Sequence, residues 1–292
     1  MIQNDSLITF KMTGRQFDDG FNLYYILRTL ENFHTIIDKS YLTINNKKKM
    51  SEKDRDILRV RAFSFEKGSF ITNISIDILA ATQIVLPYFF SLTPNEIWQL
   101  ILQGYDYLTF VLKALSKNEN IRIEPSGQDN QVNVINGDNN QVIKINKQTL
   151  VFVQKAVGDY ENLVNNVNPK RGINQIQVFQ QPDSKGINIT DYEKKLFQGR
   201  TIVEKEPVTF IGKVYRIDGI DFRGRLIILK STDSFLEIGK DYEYEMISKE
   251  ELDYLTLTFM QTKTITAIKE ITIDPVTLKK RIKKLNIISI ED

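Results

Sequence analysis

The chain has no cysteine, one histidine and one tryptophan among its 292 residues. Without cysteine there is no disulfide, no thiolate nucleophile and no Cys-based zinc site, so stability must come from packing. That is compatible with a reducing cytoplasm, the compartment expected here. His34, the lone histidine, lies between Phe33 and Thr35 in an amphipathic run, with no second ligand to share a metal and no nucleophile elbow beside it. It reads as structural or merely exposed. Phosphate cradles of the GxxxxGK[ST] and GxGxxG kinds are missing as well. Charge of one sign is also missing: 39 basic residues against 37 acidic ones leave +2, so no global field selects nucleic acid or membrane. The most apolar run, 74–90, is broken by Asp77, Gln83 and Pro87 and falls short of a membrane span. The N-terminus MIQNDSLITFKM lacks the basic and apolar regions of a signal peptide. No cofactor, metal or membrane partner is expected.

What is there is organised around a doublet at 127–146, GQDNQVNVIN followed by GDNNQVIKIN. Two readings fit it. One is a β-hairpin with strands 131–135 and 141–145 joined by a Gly-Asp-Asn turn. The other treats each decamer as a rung of a short parallel stack. Two rungs bury too little to stand alone, so they would stack on copies from other subunits through Val132, Ile135, Val142 and Ile145.

Before the doublet, residues 6–12 alternate as a strand, with Ile8, Phe10 and Met12 on one face. Phe21, Tyr24, Tyr25, Leu27, Leu30, Phe33, Ile36 and Ile37 then recur at steps of three and four, predicting a helix of about five turns capped by Asp18 or Asp19. Ser51 with Asp54 and Asp56 opens a short segment, and 58–78 reads as a hairpin turning at Glu66–Ser69. A buried helix is expected over 78–90. Thr93, Pro94 and Glu96 carry a capping box for another helix running to Ser116. After the doublet, 147–168 is amphipathic, Ile176, Val178 and Phe179 suggest a strand, and 191–197 suggests a short helix. From Thr201 the text becomes short β-runs with Gly212, Gly219, Gly224 and Gly239 at the expected breaks, a helix at 250–255 and last strands at 254–260, 264–269 and 283–290. The expected architecture is α+β. A sheet-and-helix domain over 1–120 is followed by a β-repeat connector plus helix over 121–190 and a small β-barrel over 191–292.

Two constellations carry candidate chemistry. Asp18-Asp19 and the pair Asp218 and Asp221 are the acidic groups that a metal-dependent hydrolase would need, although Asp beside Gly also serves turns for backbone reasons alone. The basic residues Lys213, Arg216, Arg223, Arg225 and Lys230 interleave with Tyr215 and Phe222, and Lys279, Lys280, Arg281, Lys283 and Lys284 form a second run. Small barrels bind single strands with such cations and aromatics. The plain alternative is a solvated strand surface on which Lys and Arg guard against aggregation.

The segments ITFKMTG, FDDG and NLYYILRTLENFHTII, with FSFEKGSF and NVINGDNNQVIKIN, resemble a group of uncharacterised bacterial proteins carried by phages and other mobile elements. The resemblance spans about the first 150 residues. It implies a strand, a Gly/Asp turn, a long helix, a strand pair and a Gly-Asp-Asn connector, in a phage or phage-defence setting, and brings no functional residues with it. The function expected is a non-enzymatic, self-associating protein with a protein partner, as a defence component or an anti-defence factor. Nucleic-acid binding through the barrel, and then a metal-dependent nuclease or hydrolase, are the alternatives.

Overall fold

The structure, a computed structural model, describes residues 7–18, 20, 22–63, 69–79, 92–117, 119–125, 131–137, 141–181, 184–199, 201–218, 222–246 and 259–291. The fold is mixed α+β and divides into two compact units, Met1–Gln198 and Gly199–Asp292. The boundary falls at 198/199, and the stretch 121–190 lies within the first unit. Among the described residues no helix is long and apolar enough to cross a membrane.

In the first unit, β1 (Leu7–Thr13) buries Ile8, Phe10 and Met12 on one face, as its alternation dictates. It is the central strand of an antiparallel sheet with β2 (Leu58–Phe63), β3 (Phe70–Ile78), β7 (Gln175–Phe179) and β8 (Ile187–Ile189), in the order β2-β3-β1-β7-β8. Helix α1 (Leu23–Ile44) lays Phe33 against Phe10, ring centres 5.5 Å apart. Its cap is Asn22, whose side-chain oxygen accepts from the Tyr24 amide at 3.1 Å. Asp18 does not cap it; that residue already has helical φ and ψ and closes a 3-10 turn, Arg15–Phe17. Asp19 lies outside the described residues. Helix α2 (Glu52–Ile57) opens on Ser51 and Asp54, and α3 (Pro94–Ser116) opens on Thr93 and Glu96, both as full capping boxes. The region of the expected 78–90 helix lies outside the described residues from 80 onward, and Ile78 itself ends β3.

The doublet is a hairpin. Strand β5 (Gln131–Asn136) runs antiparallel to β6 (Gln141–Asn146), Val132 opposite Ile145 and Ile135 opposite Val142. A further strand, β4 (Ile121–Pro125), flanks β5. The parallel-rung reading is therefore overturned: each decamer closes its hydrogen bonds on the other within one chain. The two sheet faces differ. Val134 and Ile145 point inward and are buried, and β6 lies against α3 and the next helix, α4 (Lys147–Asn165). Ile135 and Val142 point outward, Val142 being 49% exposed. Helix α5 (Asp191–Gln198) ends the unit.

The second unit consists of β9 (Thr201–Asp218), β10 (Arg223–Lys230), β11 (Asp241–Met246), β12 (Thr262–Ile273) and β13 (Lys280–Glu291). Their order β10-β11-β13-β12-β9, with β9 pairing back to β10, closes the sheet into a barrel. Phe210, Val214, Leu226, Ile228, Tyr244, Ile265, Leu285 and Ile287 fill it. Gly212 and Gly224 are not breaks, contrary to the sequence reading; both sit inside strands. A Cβ on Gly224 would meet the Arg216 carbonyl oxygen at 1.9 Å and the Tyr244 hydroxyl at 2.5 Å, so close approach is what the glycine permits. Gly239 does sit in a turn, at φ 82°. Gly219 and the expected helix at 250–255 lie outside the described residues, as does most of the expected strand 254–260, whose Phe259 and Met260 form a turn.

Candidate functional site

Burial alternates along β9 from Val208 to Val214, after which a bulge puts Leu226 opposite Val214 but Arg225 opposite Arg216. Beyond it, Arg216 and Arg225 face each other across the strands, and Gly224 between Arg223 and Arg225 keeps the backbone low. Strand β13 enters beside β11 as the barrel's parallel pair, with Glu245 opposite Asn286, and so brings Lys283 and Lys284 to the same face. The result is a cleft of about 430 Å³ lined by Arg216, Asp218, Arg223, Arg225, Glu243, Tyr244, Glu245, Lys283 and Lys284. A second cleft of about 570 Å³ shares Arg225, Glu243 and Lys283 with the first, and adds Phe235, Lys240, Lys280 and Arg281. The two sequence-distant basic runs are thus one surface.

Its ion pairs are uneven. Arg225 sits 3.0 Å from Asp241 and 3.5 Å from Glu243. Lys284 bonds to Glu245 and lies 3.3 Å from Glu270, which Lys283 also holds at 3.0 Å. Glu270 is buried, which opposes its ionisation, but these two ammonium groups outweigh burial and lower its pKa. The Glu245 and Glu270 carboxylates in turn raise the pKa of Lys284. Among the described residues, no carboxylate lies within ion-pair distance of Arg216 or Arg223, and both are exposed.

The other residues singled out in the sequence fall in different places. Tyr215 is on the surface and donates to Asp241 at 3.0 Å. Phe222, at φ 54°, is partly buried and packs against the barrel core. Lys213 lines neither cleft, being in register with Ile227 and Thr262, and Lys230 and Lys279 line neither as well. An aromatic that the sequence reading passed over is Phe235, 40% exposed in the second cleft, with the Lys269 ammonium 5.4 Å from its ring centre. That ammonium is itself buried between Glu204, at 3.0 Å, and Asp233. Nothing local in the sequence marks Phe235; only the loop 231–240 folding over the second cleft exposes it.

No family model, curated protein or solved structure matches the chain. Any role must therefore be argued from the side chains. Of the candidate catalytic groups, His34 is held in a structural contact. His34 lies 3.7 Å from Asp38, but Arg55 clamps that carboxylate with both terminal nitrogens and approaches the imidazole at 3.4 Å. Asp221, like Asp19, lies outside the described residues, so neither acidic pair is placed as a pair. Among the described residues, no three His, Asp or Glu side chains gather closely enough to hold a metal ion.

Proposed function

We propose that the protein is a non-enzymatic binding protein that holds single-stranded nucleic acid on the basic face of its second unit. The observation that supports this is the pair Arg216 and Arg223, exposed in a cleft and, among the described residues, with no carboxylate within ion-pair distance. Arg225, Lys283 and Lys284 already have acids of their own, and Asp218 lines the cleft opposite Arg223, so Arg216 and Arg223 are the cations left to meet a ligand. Guanidinium forks match phosphate oxygens bidentately. Phe235 at the adjoining cleft offers one ring face for a base. Backbone cations plus a stacking ring form a sequence-tolerant site.

The test is a salt titration of fluorescence anisotropy with labelled single-stranded DNA and RNA, starting near ~50 mM salt. The wild type is expected to bind, with log affinity falling linearly against log salt. Arg216→Glu with Arg223→Glu should abolish binding, while neutral Arg216→Gln alone should reduce the salt slope by about 0.7. No binding at low salt, or binding that ignores these changes, removes the reading.

Self-association is a second reading, favoured by the outward pair Ile135 and Val142 on the three-stranded sheet. Light scattering on Val142→Lys against wild type tests it: a monomer in both ends the idea. The phage or phage-defence setting we propose rests on the resemblance of the first 150 residues, and a defence role and an anti-defence role remain the two forms of it.

A further inference from the structure

The first unit has a basic groove of its own, independent of the barrel. Two turns meet there. One is the 3-10 turn Arg15–Phe17 after β1; the other is a second 3-10 turn, Pro169–Arg171, before β7. They are stapled together by main-chain bonds, Gln16 N–H to Gly172 O at 3.1 Å and Asn174 N–H to Thr13 O at 2.8 Å. Gly14 at φ 138° and Gly172 at φ 82° make the contact possible, since a Cβ on Gly14 would lie 2.1 Å from Gly172 O. The groove is about 530 Å³ and its lining includes Arg15, Lys170 and Arg171 with Gln16, Asn22 and Tyr25. Among the described residues its lining holds no carboxylate. Arg171 is oriented by the Tyr25 hydroxyl, 3.3 Å away, rather than by an acid. Asn22 spends its side-chain oxygen on the Tyr24 amide, which leaves the amide NH2 as a donor.

We propose that this groove binds a phosphate group. Three cations from two mutually braced turns line one groove in which, among the described residues, no carboxylate competes for them, so an anion is the ligand their charge favours. The braced backbone means that little ordering is needed on binding. The first turn of α1 begins beside the groove and adds the partial positive charge of its free amides. Either a phosphorylated small molecule or a nucleic-acid backbone supplies the shared chemistry.

The experiment uses the full chain and calorimetry with inorganic pyrophosphate, a nucleoside 5′-monophosphate, and an oligonucleotide lacking terminal phosphates. Saturable pyrophosphate binding is expected in the wild type and in Arg216→Glu/Arg223→Glu, which separates this site from the barrel face. Arg15→Gln with Lys170→Gln, both exposed and free of described ion pairs, should weaken it at least ~10-fold, the effect of losing about 1.4 kcal/mol. Circular dichroism checks that this variant is folded, and Arg171→Lys offers a second one that keeps the charge but loses the Tyr25 bond, expected to bind more weakly than wild type. In the Arg216→Glu/Arg223→Glu background, binding of the monophosphate but not the oligonucleotide assigns a small-molecule source; binding of both assigns the backbone. Absence of pyrophosphate binding, or binding undiminished in the double variant, overturns the proposal.

Discussion

Asp54 is 2% exposed, yet it is a full member of a hydrogen-bond network: it accepts from Tyr41 Oη at 2.9 Å, Ser51 N–H at 3.0 Å, Ser51 Oγ at 2.6 Å and the Lys47 ammonium. Burial alone would raise its pKa. The Lys47, Ser51 and Tyr41 bonds outweigh burial and hold the carboxyl well below the usual carboxylate range. The sign follows directly. A folded-state pKa below the unfolded 3.8 contributes stability above that value, and the contribution is lost as pH falls from there toward the folded value. Trp98, the chain's one tryptophan, is buried in α3 of the same unit and reports its unfolding by fluorescence. Asp54→Ala is expected to cost about 2–3 kcal/mol at neutral pH, from a lost cap and stranded donors, discounted because Lys47 is partly solvated. Asp54→Asn should flatten the loss of stability below pH 3.8; an unchanged acid profile would show that the carboxylate is not the titrating group. Ser51 and Asp54 are legible because a capping box spans only four residues. Their bond to Tyr41, 13 residues back, is not, since it exists only once α1 and α2 have packed.

The same distinction holds for whole elements. Helices α1, α3 and α4 announce themselves by apolar steps of three and four, because each buries one stripe against the same sheet or its neighbours. Strand β9 does not announce its 18 residues: Gly212 looks like punctuation until the Phe210 ring and the Ile227 carbonyl close around it. The doublet was legible as β but not as to pairing, because ten-residue spacing suits a hairpin and a rung equally well; the register decided it. Two helical glycines make a paired prediction. A Cβ on Gly158 in α4 would meet nothing within 4 Å, so Gly158→Ala should stabilise the first unit by about 0.5–1 kcal/mol through helix propensity. A Cβ on Gly104 in α3 would meet the buried Phe152 ring at 2.7 Å. Gly104→Ala should instead destabilise by about 1–3 kcal/mol, as overpacking does. Denaturant melts followed at Trp98 check both, and equal signs would mean that ring contact is not what decides.

At the scale of the molecule, the candidate face was legible only as two basic runs 50 residues apart. What unites them is a parallel pairing of β11 with β13 reached across β12, a contact that no local pattern encodes. That closure also makes the face a property of the second unit alone. Every residue lining its two clefts lies between 216 and 284, and the core beneath is filled by the barrel's own side chains. A fragment spanning 199–292 is therefore expected to melt cooperatively on its own, followed by circular dichroism because it contains no tryptophan. Its affinity for a short single strand should stay within about twofold of the full chain, with the same salt slope, since the same phosphates are neutralised. A long strand discriminates further. If the groove at Arg15, Lys170 and Arg171 also takes backbone phosphate, the full chain gains a second attachment and should bind the long strand more tightly than the fragment does. Arg15→Gln with Lys170→Gln should then erase the difference. A folded fragment that has lost binding to the short strand would place the nucleic-acid site outside the barrel.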